Sequence, residues 1–217
     1  MEKNYYQMFL ATIQNLDKQH KPKLLLHVCC APCSSRCLEV LEEYFDITVF
    51  FFNPNISPKE EYQKRLEELK NFAKNVHPNV KVVEGEYDNQ SFEELVAKGL
   101  EDLPEGGERC KKCYRQRLMA SAEYAKQNGF DYFTTSLSIS PYKNSKALNE
   151  IGGEIADKVG VKYLFSDFKK EDGYKRSIEL SKKYNLYRQD YCGCKYSKLA
   201  REKYLNSLKI KESLWKK

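Results

Sequence analysis

The sequence predicts an α/β fold: a parallel sheet with helices on both faces, followed by a basic helical C-terminal region. Three observations carry that prediction. Short runs rich in aliphatic, β-branched and aromatic residues alternate with stretches of helical periodicity. Loops built from Cys, Asn, Ser and Pro follow three of those runs, and after Asp167 the alternation stops and Lys and Arg take over. Strand, helix, strand, helix is the pattern of a parallel sheet, whose ligands bind at the carboxyl ends of the strands.

The elements follow in order. Residues 1–21 have amphipathic helical spacing and lack the basic, apolar, small-residue order of a secretory signal. Residues 24–28, 47–52, 80–83, 132–137 and 161–165 read as five strands buried on one or both faces. Between the second and third, Ser57-Pro58-Lys59-Glu60 offers a capping box with proline at the first helical position. Tyr62, Leu66, Leu69 and Ala73 then recur at helical spacing. Ser91 and Glu94 repeat the capping-box signal. Tyr114, Leu118, Ala122 and Ala125 line a further helix that Gly129 can end in the left-handed conformation. Ala147, Leu148, Ile151 and Ile155 line another that ends at Gly160. The predicted division is an α/β portion over residues 1–167 and a basic helical region over 168–217, packed as one unit.

Composition excludes several classes. The 217 residues are 41% hydrophobic and 31% charged, enough apolar surface for a core and too much for wholesale disorder. No run of 18 apolar residues exists to cross a membrane. Without an export signal the expected compartment is the reducing cytoplasm, where thiols stay free unless they bind metal or react.

That expectation gives weight to the eight cysteines, which fall in three clusters: Cys29, Cys30, Cys33 and Cys37; Cys110 and Cys113; Cys192 and Cys194. Cys30/Cys33 and Cys110/Cys113 each have the C-x2-C spacing that lets two thiolates reach one metal. The second pair opens a helix, whose amino end favours thiolates. Four soft donors suit zinc or an iron–sulfur cluster, and spacing does not separate the two. Cys37, four residues after Cys33 on an apolar helix face, suits a packing role. Cys192-Gly193-Cys194 is different: a single intervening residue makes a strained, exchangeable disulfide, able to hold two electrons and pass them on. With only His20, His27 and His77, a His-rich centre is excluded, and His27 within the first strand reads as a core residue. Asp131, Asp167 and Asp190 are candidate proton donors or accessory ligands. Neither a phosphate-binding G-x-x-x-x-G-K-[ST] loop nor a G-x-G-x-x-G turn is present.

Charge is uneven. Residues 169–217 carry 15 Lys and Arg against 6 Asp and Glu, a net of +9, whereas the preceding residues net −3. Six tyrosines between Tyr174 and Tyr204 are interleaved with those cations, a composition that fits a polyanion with unpaired bases to stack. A solvated basic helix face has the same composition.

Four motifs together resemble the epoxyqueuosine reductase family QueH: LLLHVCCAPCS over 24–34, ERCKKCY over 108–114, TSLSISPYK over 135–143 and YCGC over 191–194. The resemblance spans most of the chain. It implies a fold related to the nucleotide α-hydrolase-like domains of tRNA-modifying enzymes. The implied reaction is the last step of queuosine biosynthesis, reduction of the epoxide of epoxyqueuosine in a tRNA anticodon to an alkene. It further implies that Cys29, Cys30, Cys110 and Cys113 bind a [4Fe–4S] cluster and that Cys192 and Cys194 form a redox-active disulfide. An additional adjacent iron is also implied, for which Cys33 and an aspartate are candidate ligands. The partners implied are the tRNA and an external electron donor, with no membrane. Two other readings fit parts of the sequence: a tRNA thiolase or sulfurtransferase, which needs an ATP loop not found after the first strand, and a zinc-stapled RNA-binding module, which leaves the CGC pair idle.

Overall fold

A computed structural model describes residues 3–17 and 19–215, with side chains as far as residue 209. Five parallel strands form one sheet in the order β3-β2-β1-β4-β5: β1 Lys23–His27, β2 Asp46–Phe51, β3 Lys81–Glu84, β4 Tyr132–Thr135 and β5 Lys162–Tyr163. The chain winds outward from β1 to β3, then returns to pair β4 on the other side of β1. The topological switch therefore lies between β1 and β4, where ligands of open α/β sheets bind. Both of the last two strands are shorter than expected. β4 ends because the Thr135 hydroxyl accepts from the Leu137 N–H, 3.2 Å, and caps a 3-10 turn over Ser136–Ile139. Beyond β5 the Asn149 side chain takes over strand pairing, accepting from the Ser166 N–H and donating to the Ser166 carbonyl.

The period-two alternation of β1 divides the core. Leu24, Leu26 and Val28 join Ile47, Val49 and Phe51 of the second strand on one face. That face is covered by α1 (Tyr5–Gln14), α2 (Ala31–Leu41) and α3 (Lys59–Val76). Leu25, Phe50 and Phe133 face the other way, beneath α5 (Glu108–Gln127) and α6 (Ser145–Val159). The expected apolar stripes of α3, α5 and α6 are all buried, and Gly129 (φ 68°) and Gly160 (φ 81°) stop their helices in the left-handed conformation. Between β3 and α5 a short α4 (Asn89–Phe92) runs into a π-helical turn, Glu93–Ala97.

Neither expected capping box forms. At the first, α3 starts after Pro58 with no side-chain cap, and the Ser57 N–H that Glu60 would accept donates instead to the Gly193 carbonyl at 2.9 Å, holding the loop to the C-terminal region. At the second, the cap is Asp88, three residues earlier than Ser91, whose N–H it accepts at 3.0 Å. The basic region forms α7 (Gly173–Lys183), packed on α2 with Arg176 paired to Glu39, and α8 (Lys195–Trp215). No helix among the described residues is long and apolar enough to cross a membrane.

Candidate active site

The site begins one residue past β1. Val28 continues the ladder, its N–H donating to the Phe50 carbonyl at 3.0 Å, and Cys29 and Cys30 lead into α2 with Pro32 in its first turn. Pro32 supplies the backbone angle a helix start needs and gives up no hydrogen bond there. This turn brings the sulfurs of Cys29, Cys30 and Cys33 within 4.8 Å of one another, with Cys29 and Cys30 3.8 Å apart. Hydrogen bonding with Cys30 and Cys33 holds the Cys29 thiol well below the usual thiol range, helped by the Arg117 and Arg65 charges. The thiols of Cys30 and Cys33 are raised, by their bonds to Cys29 and by burial. Cys37, fully buried, donates to the Cys33 carbonyl and packs in the core.

The second sulfur group comes from the start of α5. Cys110, Cys113 and Arg117 lie at i, i+3 and i+7, one stripe of the helix. Gly106, at φ 88°, turns its N–H onto the Cys110 sulfur at 3.2 Å. Cys110 belongs to the same packed cluster as Cys29 and Cys30, whereas Cys113 packs with Cys194 against Phe92, Val96 and Ala97. Burial pushes the Cys113 thiol up to about 12. Among the described residues the tight three-sulfur group consists of Cys29, Cys30 and Cys33, and neither Cys110 nor Cys113 is part of it.

Cys192-Gly193-Cys194 arrives from the opposite side. Gly193 has φ 124°, and a Cβ there would lie 3.0 Å from Ile56 and 3.1 Å from the Arg65 guanidinium, so only glycine fits. Its carbonyl holds Ser57, and the Cys192 carbonyl accepts from Arg65 Nη1 at 3.1 Å. Lys143 Nζ donates to the Cys192 sulfur at 2.9 Å and to Glu105 at 3.0 Å. Lys143 is buried, and its contacts with Cys192 and Glu105 favour the ammonium against the cost of desolvation. Burial also raises the Cys194 thiol.

A cavity of about 720 Å³ joins these pieces, with Cys29, Cys33, Cys192 and Lys143 on its wall. Around it the guanidinium of Arg188 lies over the Tyr174 ring at 5.7 Å and that of Arg201 over Tyr204 at 5.5 Å. Tyr142 stands 75% exposed at the rim. The volume suits a nucleoside-sized ligand. Of the tail tyrosines, Tyr174, Tyr191 and Tyr204 line the cavity. Tyr184 instead packs on Phe72, Tyr187 bonds Glu61, and Tyr196 carries the Arg109 guanidinium. The aspartates separate too. Asp190 is at the cavity, paired with Arg201, and Asp167 bonds Ser145 and Lys169. Asp131 accepts from the Lys23 N–H at the opposite, amino edge of the sheet, too far along β1 to serve the site.

Three of the buried cations face the sulfur-bearing segments and were missed by sequence reasoning. Arg65 bonds Glu61 and the Cys192 carbonyl and leaves Nη2 unpaired. Arg117, 1% exposed, has one partner, Asn53 Oδ1 at 3.1 Å, while its Nε and Nη2 have none. Lys143 is the third. The signal available for Arg117 was its place on the stripe that carries Cys110 and Cys113. His27 is a core residue as expected. Its Nε2 faces the Phe52 carbonyl at 3.1 Å and so carries the proton, leaving Nδ1 to accept from the Thr135 hydroxyl at 2.9 Å. Burial, then the Arg117 charge, lowers its pKa from 6.5 to about 3.

A family model described as epoxyqueuosine reductase QueH matches residues 24–200. Curated relatives named epoxyqueuosine reductase QueH include one from Staphylococcus epidermidis, 42% identical over 200 residues, which cover 89% of this chain and 84% of the relative. Another, from Streptococcus pyogenes serotype M1, is 45% identical over 181 residues, 82% of this chain and 71% of the relative. The Thermotoga maritima relative is 39% identical over 180 residues, 82% and 91% respectively. Among solved structures, the U34-tRNA thiolase NcsA from Methanococcus maripaludis, determined with its [4Fe-4S] cluster, superposes with a TM-score of 0.53 at 14% identity. The alignment covers 89% of this chain and 67% of the thiolase, a likeness of fold.

Proposed function

The chain belongs to the epoxyqueuosine reductase QueH family, and from that premise we propose that its cavity reduces the epoxide of epoxyqueuosine in a tRNA anticodon to the alkene of queuosine. The observation that carries the reading is the convergence of Cys29, Cys33, Cys192 and Lys143 on one cavity wall. Cys29, Cys30, Cys110 and Cys113 would hold a [4Fe–4S] cluster. The donor set fits: all four are buried, three share one packed cluster, and two neighbouring guanidiniums have unpaired N–H groups that call for an anion. When bound, the cluster would supply one-electron transfer. An additional iron would use Cys33, whose sulfur already sits with those of Cys29 and Cys30.

The reaction consumes two electrons and two protons, breaks both C–O bonds of the epoxide and releases water. Closing the Cys192–Cys194 dithiol to a disulfide supplies two electrons and two protons, and an external donor then reopens it. Lys143, within hydrogen-bond reach of the Cys192 sulfur, holds that thiol against the cavity and stores a proton beside it. Tyr174, Tyr204 and their stacked arginines receive splayed anticodon bases, and the exposed lysines of α7 and α8 meet phosphates. On this reading the enzyme works in the cytoplasm, where its tRNA is.

Anaerobically purified protein is assayed for iron, acid-labile sulfide and zinc, then given tRNA bearing epoxyqueuosine with a chemical reductant. Iron with matching sulfide, and a Cys192→Ser variant that keeps both yet cannot turn over repeatedly, support the reading. Stoichiometric zinc with no colour refutes the cluster. Undiminished multiple turnover by Cys192→Ser refutes the role of the pair.

A further inference from the structure

The cation that the site leaves least compensated is Arg117. It lies in the middle of α5, one turn beyond Cys113, with essentially no exposure to solvent. A guanidinium cannot shed its proton in a protein, so burial must be met by an opposite charge or by hydrogen bonds to every N–H. Neither is present. Among the described residues Arg117 forms no ion pair with a carboxylate. Its single bond goes to Asn53 Oδ1, and Nε and Nη2 have no partner. Asn53 is itself fixed, donating to the Val28 carbonyl at 2.8 Å, so the guanidinium is pinned beside the residue that precedes Cys29. On the same stripe of α5, one and two turns back, lie Cys113 and Cys110.

From this geometry we infer that Arg117 is the fixed counter-charge of the thiolate-bound cluster and sets its reduction potential. The inference rests on the proposed cluster. Four thiolates make the oxidised cluster a dianion, and one-electron reduction adds a further negative charge in a dry pocket. A pinned cation with unpaired donors stabilises the reduced form more than the oxidised form, because its attraction scales with the charge it faces. Arg65 contributes less, since Glu61 already neutralises it at 2.7 Å. Arg117 therefore acts through the cluster and touches no substrate; it is a positioning and tuning residue. Its unpaired Nε and Nη2 are the donors available to the sulfurs.

Arg117→Met and Arg117→Lys are reconstituted anaerobically beside the wild type. Iron and sulfide are counted, folding is checked by circular dichroism, and the midpoint potential is read by a mediated titration followed by electron paramagnetic resonance. The loaded Met variant is expected to shift the oxidised-to-reduced equilibrium at least tenfold toward oxidised, 59 mV more negative for a one-electron couple. The Lys variant, which keeps the charge, stays within that interval of the wild type. A Met variant that folds but retains no iron also supports the inference, because the thiolates then lack their counter-charge. A loaded Met variant at the wild-type potential overturns it. If the Met variant does not fold, the Lys variant decides, a shift beyond 59 mV overturning the charge argument. A wild type that takes up neither iron nor sulfide overturns the cluster and this inference together, whereas an unmoved potential in a loaded variant removes only the role of Arg117.

Discussion

Arg109 is the residue whose removal should cost most for its apparent place in a surface helix. It is 3% exposed, and its Nη1 donates to the carbonyls of Leu100, Glu101 and Leu103 at 2.7, 2.9 and 2.7 Å. Its guanidinium also lies 4.6 Å from the ring centre of Tyr196, two residues past Cys194. One side chain thus folds the loop before α5 back on its helix and joins it to the start of α8. Water can reach the freed carbonyls of this partly exposed loop, so each lost bond costs about 1 kcal/mol, not its full gross strength. The ring contact adds about 1 kcal/mol. Arg109→Ala should therefore lower stability by about 3 to 4 kcal/mol in urea unfolding of metal-free, reduced protein. The loop should open to trypsin after Lys98. Its consequence for the site is indirect: Gly106 can no longer hold its N–H on the Cys110 sulfur, so iron should be lost faster to a chelator. A stability loss below about 1 kcal/mol, or a loop as resistant as in the wild type, would refute the clamp.

Acid sensitivity should be traceable to His27. Its folded-state pKa, about 3, lies below the unfolded 6.5, so the stability it contributes is complete above 6.5 and falls with pH as the unfolded chain alone takes up the proton. Linkage gives a loss of about 2 kcal/mol between pH 8 and pH 5. Urea midpoints at the two pH values should show that loss in the wild type and a markedly flatter dependence in His27→Asn; equal slopes would sink the assignment. The exposed Lys182, Lys183 and Lys198 on α7 and α8 should govern tRNA affinity. Reversing all three to Glu should weaken binding and reduce the dependence of log Kd on log salt by about 0.9 for each phosphate contact removed, and an unchanged affinity at low salt would move the RNA site elsewhere.

The sheet was legible because its signal is collective. Leu24, Leu26 and Val28 alternate with Leu25 and Cys29, and burial on both faces leaves no other period for the run to adopt. Since ligands collect at strand carboxyl ends, the position of Cys29 after β1 and of Lys143 after β4 was implied once the strands were known. Local hydrogen-bond competition was less legible. Ser57 has the right sequence for a cap, yet its backbone is taken by Gly193, 136 positions away along the chain. Asn149 shortens β5 by a side-chain pairing that no propensity encodes.

The buried cations were illegible for a further reason. Arg and Lys are read as surface residues because burial usually forbids their charge, so Arg65, Arg117 and Lys143 count as noise within otherwise apolar helical or loop patterns. They become intelligible only beside the sulfurs. Lys143 and Arg65 reach the CGC segment from β4's loop and from α3, and Arg117 shares a helix stripe with Cys110 and Cys113. On the proposed reading, thiolates holding a cluster would repel one another in a dry pocket, and the cations beside them have no solvent. Each set is costly alone, and each offsets the other. With the proposed cluster bound, buried positive charge is what would let thiolates collect at this sheet edge. That pairing accounts for Arg65, Arg117 and Lys143 at buried positions where an ordinary core would carry leucine.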